Sequence, residues 1–196
     1  MLTWLVLQLP LTLLPAPATP PECQLEVLPA FVLEERVVED FNHRVAHYVR
    51  LHRRLERALP PEHLFDDLED MTGAIDALHA AIVDARPNAR PGSIFTPAVA
   101  ALLTRRLEQA IDANRYSPAE VLAAMNVGSL PGMPEPEING RLPDTRNIQV
   151  WPALLAVLPR LPDELQYRFF DRDLALVDFH ADLIVDILED ALPPAR

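Results

Sequence analysis

The sequence predicts a mainly α-helical protein, a single helical domain of four to six helices with a small C-terminal β-hairpin. Three observations predict this fold class. Apolar residues recur at steps of three and four through residues 35–58 and 64–85, and two later helix starts carry capping residues. After Leu165 the period of the apolar residues changes to two, which is typical of strands.

The first two helices are predicted from their apolar stripes. The first stripe begins in residues 35–58, and a pair of prolines follows it and ends the helix. The stripe consists of Val38, Phe41, Val45, Tyr48, His52, Leu55 and Leu59. Residues 64–85 repeat the pattern before Pro87 with Leu64, Leu68, Met71, Ile75, Leu78 and Ile82. We interpret His52, which interrupts the first stripe, as a core histidine that forms a hydrogen bond.

The third and fourth helices are predicted from their first residues. Thr96 places a capping hydroxyl before a proline, which opens a helix over residues 97–113. Ser117 and Glu120 have the spacing of a capping box around another proline, which predicts a short helix over residues 118–127.

Residues 129–150 are predicted to form an irregular, Pro-rich loop. They contain the turn pair Asn139 and Gly140 between several prolines. A loop of this length within a domain is usually functional or mobile, so it is a candidate contact surface. The alternative is that it wraps over the helices and buries its apolar side chains, Leu130, Met133 and Ile138.

The C-terminal segment is predicted to contain a short helix over residues 152–158, a β-hairpin and a terminal helix. The hairpin is indicated by alternating apolar residues on either side of a break at Asp171, namely Leu165, Tyr167, Phe169, Leu174 and Leu176. Asp182 is a candidate N-cap, and the apolar residues of 183–192 recur with helical spacing. These patterns favour a helix at the end of the chain.

Two segments carry a family resemblance, GSIFTP (Gly92–Pro97) and LPDELQYRFFDRDLALVDFHADLIVDIL (Leu161–Leu188). Through them the chain resembles a family of uncharacterised exported proteins of bacteria such as acidobacteria. The resemblance covers most of residues 45–192, including the turn at Ile138–Gly140, and implies export and one shared domain but no catalytic residues. Such sequences tend to carry glycine where this chain has Asp171, and aspartate makes a tight two-residue turn less favourable.

The first residues of the chain have the pattern of a signal peptide. An uncharged apolar run over residues 2–14 precedes the small-residue pattern of Ala16 to Ala18, and it is shorter than the roughly 20 residues of a membrane-spanning helix. We expect a signal peptide at residues 1–18, a single domain at 19–196, and a periplasmic or secreted location. Two alternatives are an uncleaved segment that keeps the protein at the inner membrane and a buried or surface-lying N-terminal strand.

Composition excludes several classes of function. All 17 basic residues are arginine, so Schiff-base catalysis and the lysine-containing phosphate-binding loop are excluded. A formal charge of −12 argues against nucleic acid and against an anionic membrane surface as partners. The single Cys23 permits no intrachain disulfide.

Asp178, His180 and Asp182 are the candidate metal ligands. Alternate residues of a strand point to the same side, so this D-x-H-x-D pattern is able to present two carboxylates and an imidazole together. The alternative is a solvent-facing strand end that caps the next helix. A second set, Asp40, His43 and His47, shares a helix face, but the arginines of that face disfavour a cation and indicate a solvated surface.

The sequence contains no catalytic or cofactor-binding motif, and no cofactor is expected. The leading hypothesis is therefore a non-enzymatic exported protein that acts through contact with a protein partner. The alternative is a metal-dependent hydrolase centred on Asp178, His180 and Asp182.

Overall fold

The computed structural model of the chain describes residues 30–59, 68–125, 135–142 and 151–194. These residues form five helices and one three-stranded antiparallel sheet, which is an α+β fold. The elements in chain order are α1 (Ala30–Glu56), α2 (Leu68–Ala85), α3 (Pro97–Ala113), α4 (Pro118–Met125), α5 (Pro152–Leu155), β1 (Leu165–Phe170), β2 (Asp173–Asp178) and β3 (Leu183–Leu188). The strands lie in the order β1-β2-β3.

The predicted fold class, a mainly α-helical domain with a hairpin, is wrong because the chain continues into a third strand. Residues Leu183–Leu188 pair with β2 instead of forming a terminal helix. Asp182 has a φ of 49° and belongs to the turn that precedes β3. A short apolar run has no distinguishing period when both faces are buried, and the Ile and Val residues of this run favour a strand.

The helix starts follow the capping chemistry of the sequence. The Thr96 hydroxyl accepts a hydrogen bond from the Val99 amide at 3.5 Å, and α3 spans the predicted residues. At α4 the Ser117 hydroxyl accepts from the Glu120 amide, and the Glu120 carboxylate accepts from the Ser117 amide, at 3.1 and 3.0 Å. Both halves of the capping box are therefore present.

The helices and the sheet share one core. Helix α1 packs on α2 and α3 through the buried part of its stripe, which includes Phe41, Val45 and Tyr48. The β1-β2 hairpin forms with Phe170 opposite Asp173, so its loop has two residues, and Asp171 takes a left-handed φ of 53°. The aspartate therefore does not prevent the tight turn.

Both faces of the sheet are covered, which explains the complete burial of β3. Toward the helices the sheet contributes residues such as Leu176 and Leu183 to the main core. On the opposite face lies a smaller cluster of Ala175, Val177, Ile184 and Ile187, packed against Ile138, Leu142 and Phe170. A bulge at Val185 shifts the register, so that Asp186 lies opposite Leu176 and its side chain reaches the helical side.

The described part of the predicted loop packs along β3. The Asn139 amide donates to the Ile184 carbonyl, and the Ile184 amide donates to the Gly140 carbonyl, both at 2.9 Å. A Cβ on Gly140 would lie 2.9 Å from the Glu137 carbonyl oxygen, so this tight turn needs glycine. Ile138 therefore packs on the sheet. The alternative considered from the sequence placed it over the helices.

The remaining residues of the predicted loop, and the predicted signal peptide at residues 1–18, lie outside the described residues. Among the helices that are described, none is long and apolar enough to cross a membrane.

Candidate metal centre

One face of α1 and the end of β2 meet at a group of polar residues inside an apolar core. Tyr48, His52 and Glu56 are four residues apart along α1 and therefore share a helix face. Asp178 ends β2, and His180 lies in the turn that leads to β3. The sheet thus brings residues from the end of the chain to a helix at its beginning.

Asp178 is fully buried and holds two side chains of α1. Its Oδ2 accepts hydrogen bonds from the Tyr48 hydroxyl at 2.7 Å and from the His52 Nδ1–H at 2.5 Å. Its Oδ1 accepts from the Ala181 amide at 3.1 Å. Burial, together with the Asp178 charge and hydrogen bond, raises the pKa of the Tyr48 hydroxyl, so Tyr48 acts here as a neutral donor.

In the part of the chain that the structure describes, the second ring nitrogen of His52 has no hydrogen-bond partner, although the side chain is fully buried. Because Nδ1 donates to Asp178, Nε2 points away from that carboxylate and toward Glu56, whose Oε1 lies 3.5 Å away. Burial lowers the pKa of His52, but the hydrogen bond and charge of Asp178, with the charges of Glu56 and Glu164, outweigh it and raise the pKa. A buried polar atom without a partner requires an explanation.

His52, Glu56 and His180 bring three ligand atoms together, all within 4.8 Å of one another. Glu56 Oε1 lies 3.5 Å from His52 Nε2 and 3.4 Å from His180 Nδ1. These distances are at the long end of the range of hydrogen bonds and ion pairs, beyond the most frequent 2.7–3.2 Å. They match the separation of about 3.3–3.4 Å between ligands that each lie about 2.0–2.1 Å from a tetrahedral zinc ion.

The three ligands differ in their access to solvent. His52 is buried, whereas the side chains of Glu56 and His180 are 36% and 34% exposed. The exposed ring of Phe179 lies edge-on to His180, with 4.4 Å between the ring centroids. The cluster therefore has a closed side at His52 and an open side at Glu56 and His180, which leaves room for a water or another molecule.

The three ligands predicted from the sequence have different surroundings. His180 belongs to the cluster with His52 and Glu56. Asp178 is engaged by Tyr48 and His52, as described above. Asp182 lies outside the cluster, and its Oδ2 accepts a hydrogen bond from Arg141 at 3.3 Å.

The sequence interpretation of His52 as a buried, hydrogen-bonded histidine agrees with its position, but it did not include His52 or Glu56 among the ligands. Their spacing of four on one helix was the available signal. A spacing of four is common on helices, and the residues that contact His52 and Glu56 lie 126 and 124 positions later in the chain.

The other predicted histidine set does not form a ligand group. Within the described residues, Asp40, His43 and His47 do not bring their ligand atoms together. The Asp40 carboxylate instead accepts a hydrogen bond from Arg44 Nε at 2.8 Å. The structure thus places an arginine where a cation would need a free carboxylate.

No protein-family model, curated protein or solved structure matches this chain. Function is therefore inferred from the geometry of the site.

Proposed function

We propose that this protein binds one divalent transition-metal ion through His52, Glu56 and His180. The single observation that carries the proposal is the buried Nε2 of His52, which has no hydrogen-bond partner among the described residues and lies 3.5 Å from Glu56 Oε1. A metal ion supplies the missing partner for that nitrogen. The spacing of Glu56 Oε1 from both histidines, 3.4 and 3.5 Å, supports the same conclusion.

The surroundings of His52 are those of a metal-binding histidine. Such histidines commonly donate the other ring N–H to a carboxylate, which sets the tautomer and orients the ring. Asp178 accepts that bond, and Tyr48 and the Ala181 amide hold Asp178 in turn. The imidazole is thus oriented before an ion arrives, which lowers the entropy lost on binding.

The ligand chemistry favours Zn²⁺. Two imidazoles and one carboxylate suit zinc, and this set is used by zinc sites that keep a fourth position open. Magnesium and calcium prefer oxygen ligands and are disfavoured by two histidines. The described cluster contains three ligands, in keeping with an open position on its solvent side.

Metal binding is tested by titrating chelator-treated full-length protein with ZnCl2 in a calorimeter. We expect one ion per chain, and His180→Ala, which alters a partly exposed side chain, should weaken binding by at least about 100-fold. His43→Ala removes an exposed histidine of the same helix and is the matched control. Equal Zn²⁺ affinity in the wild type and in His180→Ala would contradict the site.

A second candidate function is metal-dependent hydrolysis, which is favoured by the open side of the cluster. A zinc ion with three protein ligands lowers the pKa of a water in the fourth position and polarises a carbonyl or phosphoryl oxygen. The residues predicted from the sequence, Asp178, His180 and Asp182, share His180 with this ligand set. Tyr48 and Asp178 would contribute by orienting His52.

Hydrolysis is tested with zinc-loaded protein and a panel of activated esters and phosphate esters. The expected result is turnover in the wild type that is lost in His180→Ala and kept in His43→Ala. Zinc binding without turnover of any substrate would leave the protein as a metal binder and remove the hydrolase candidate.

Export and action through a protein partner are also parts of this proposal. Export derives from the pattern of the first residues and from the resemblance to exported bacterial proteins, and the partner derives from export together with the absence of a catalytic motif in the sequence. N-terminal sequencing of protein from the producing cell tests the first, with cleavage after Ala18 expected. Pull-down from a periplasmic extract, with a His180→Ala bait beside the wild type, tests whether a partner depends on the metal centre.

A further inference from the structure

A second polar site lies on another part of α1, where a cleft of 430 Å³ separates this helix from the end of α2 and the 93–94 segment. Four basic side chains line it, and they are His43, Arg44, His47 and Arg86. Among the described residues that line the cleft, the one acid is Asp40, whose carboxylate accepts a hydrogen bond from Arg44 at 2.8 Å. A basic cleft is unexpected in a chain with a formal charge of −12.

Among these basic side chains, Arg86 is held in place by several contacts. Its guanidinium donates to the Asn139 side-chain oxygen at 3.1 Å and to the Val185 carbonyl at 3.0 Å, and it lies over the Tyr48 ring at 5.1 Å from the centroid. In the described part of the chain, these partners carry no formal charge. Burial lowers the pKa of Arg86, while Tyr48, Asp186 and Asp178 act in the opposite direction.

Within the described residues, these contacts leave the Arg86 guanidinium its positive charge and further N–H donors. A guanidinium has five N–H groups in a planar fork, and the hydrogen bonds to Asn139 and Val185 occupy two of them. Bidentate recognition of carboxylate and phosphate oxygens uses this geometry. An anion in the cleft would supply the direct counter-charge that Asn139 and Val185 do not.

The remaining lining indicates what else such a ligand contains. His43 and His47 are exposed and one helical turn apart, so both are able to reach one group in the cleft. Leu51, Ala85 and Ile94 add apolar surface. We propose that this cleft binds a small organic anion. The carboxylate or phosphate group of the anion would contact Arg86, His43 and His47, and its small apolar group would lie on the aliphatic lining.

The test uses chelator-treated full-length protein, so that the metal centre does not contribute, and calorimetry at low ionic strength. The probes are phenyl phosphate and benzoate, which distinguish the two anionic groups, with inorganic phosphate and neutral benzyl alcohol for comparison. We expect saturable binding of at least one aromatic anion, weaker binding of inorganic phosphate and no binding of benzyl alcohol. Binding of no anion, or equal binding of benzyl alcohol, would overturn the proposal.

Two double variants distinguish binding in the cleft from long-range electrostatic attraction by the charges of α1. The double variant His43→Gln/His47→Gln alters two exposed side chains of the cleft and should weaken the bound anion by about tenfold. Arg50→Gln/Arg54→Gln removes two charges from the same helix outside the cleft and should change the affinity by less than about twofold. Equal weakening in both double variants would show long-range attraction only and would overturn the site.

Discussion

Asp178 and Asp186 are both fully buried in the sheet, but they hold different kinds of partner. Asp186 accepts hydrogen bonds from the backbone amides of Gly92, Ile94 and Phe95, at 2.9, 2.6 and 2.8 Å. Asp178 is held chiefly by two side chains of α1. A carboxylate that binds only main-chain amides secures a loop, whereas one that binds a histidine also orients that ring toward a third group.

The contacts of Asp186 explain the role of the GSIFTP segment at Gly92–Pro97. Three of its amides converge on the Asp186 carboxylate, and Gly92 has a φ of 80°, which favours glycine. The segment resembles an anion-binding loop whose anion is part of the same chain. Its role is therefore to fasten the start of α3 to β3.

The largest effect is expected for the loop aspartate. Asp186→Asn places an amide group among backbone donors and should lower the free energy of unfolding by about 3 kcal/mol, because hydrogen bonds to the charged group are lost. Zn²⁺ affinity of the folded protein should stay within about threefold, since Asp186 does not contact the cluster. Denaturant unfolding and zinc calorimetry measure the two quantities. A stable Asp186→Asn with impaired zinc binding would reverse the assigned roles.

The matched change at the other aspartate should act mainly on the metal. Asp178→Asn weakens the acceptor that orients His52, and losses of about 10- to 100-fold in metal affinity are typical of such changes. Competition with a zinc chelator measures the affinity, and His43→Ala controls for surface histidines. If Asp178→Asn loses stability but keeps full zinc affinity, Asp178 is a structural residue like Asp186.

Tyr48 contacts Asp178 but is not one of the three clustered ligands, so its substitution separates the carboxylate from the metal centre. Tyr48→Phe removes one donor to a buried carboxylate and should lower the free energy of unfolding by about 1–2 kcal/mol. Zinc affinity should fall less than in Asp178→Asn, because the His52 bond remains. A larger loss of zinc affinity in Tyr48→Phe than in Asp178→Asn would show that the hydroxyl, and not the carboxylate, controls the site.

The smallest effect is expected at Glu164, a buried acid whose partner Arg53 is exposed. Burial raises the pKa of Glu164, but the hydrogen bond and charge of Arg53 outweigh it and hold the pKa below its ordinary value. The pair therefore contributes stability above the unfolded-state pKa, and this contribution is lost as pH falls through the folded-state pKa.

Arg53→Gln should lower the free energy of unfolding at pH 7 only slightly, because Arg53 is exposed and solvent screens the pair. The loss of stability on acidification below about pH 5 should become shallower than in the wild type. Denaturant midpoints measured from pH 7 to pH 3 provide the check. An unchanged pH dependence would mean that Arg53 does not control the ionisation of Glu164.

The helices were the part of the fold that local sequence specified well. The capping residues Thr96 and Ser117 predicted the starts of α3 and α4, and the apolar stripe predicted α1. Caps and stripes are read from residues that are three or four positions apart. The third strand was missed because the six residues of β3 are buried on both faces, and such a run has no period of its own.

The residues of the candidate site were likewise predicted only in part. The D-x-H-x-D pattern drew attention to Asp178 and His180, and both lie at the polar group near α1. The pattern also suggested Asp182, but the left-handed turn before β3 directs its carboxylate to Arg141. Nothing in the local sequence indicated that His52 and Glu56 would meet His180.

Local sequence and composition were enough to predict the starts of α3 and α4, the apolar stripe of α1 and the hairpin between β1 and β2. These depend on neighbouring residues and on composition. The third strand, the partners of the two buried aspartates and the cluster of His52, Glu56 and His180 depend on tertiary contacts. The contacts that create this cluster join residues 124 to 126 positions apart, and such pairings follow from how the whole core packs.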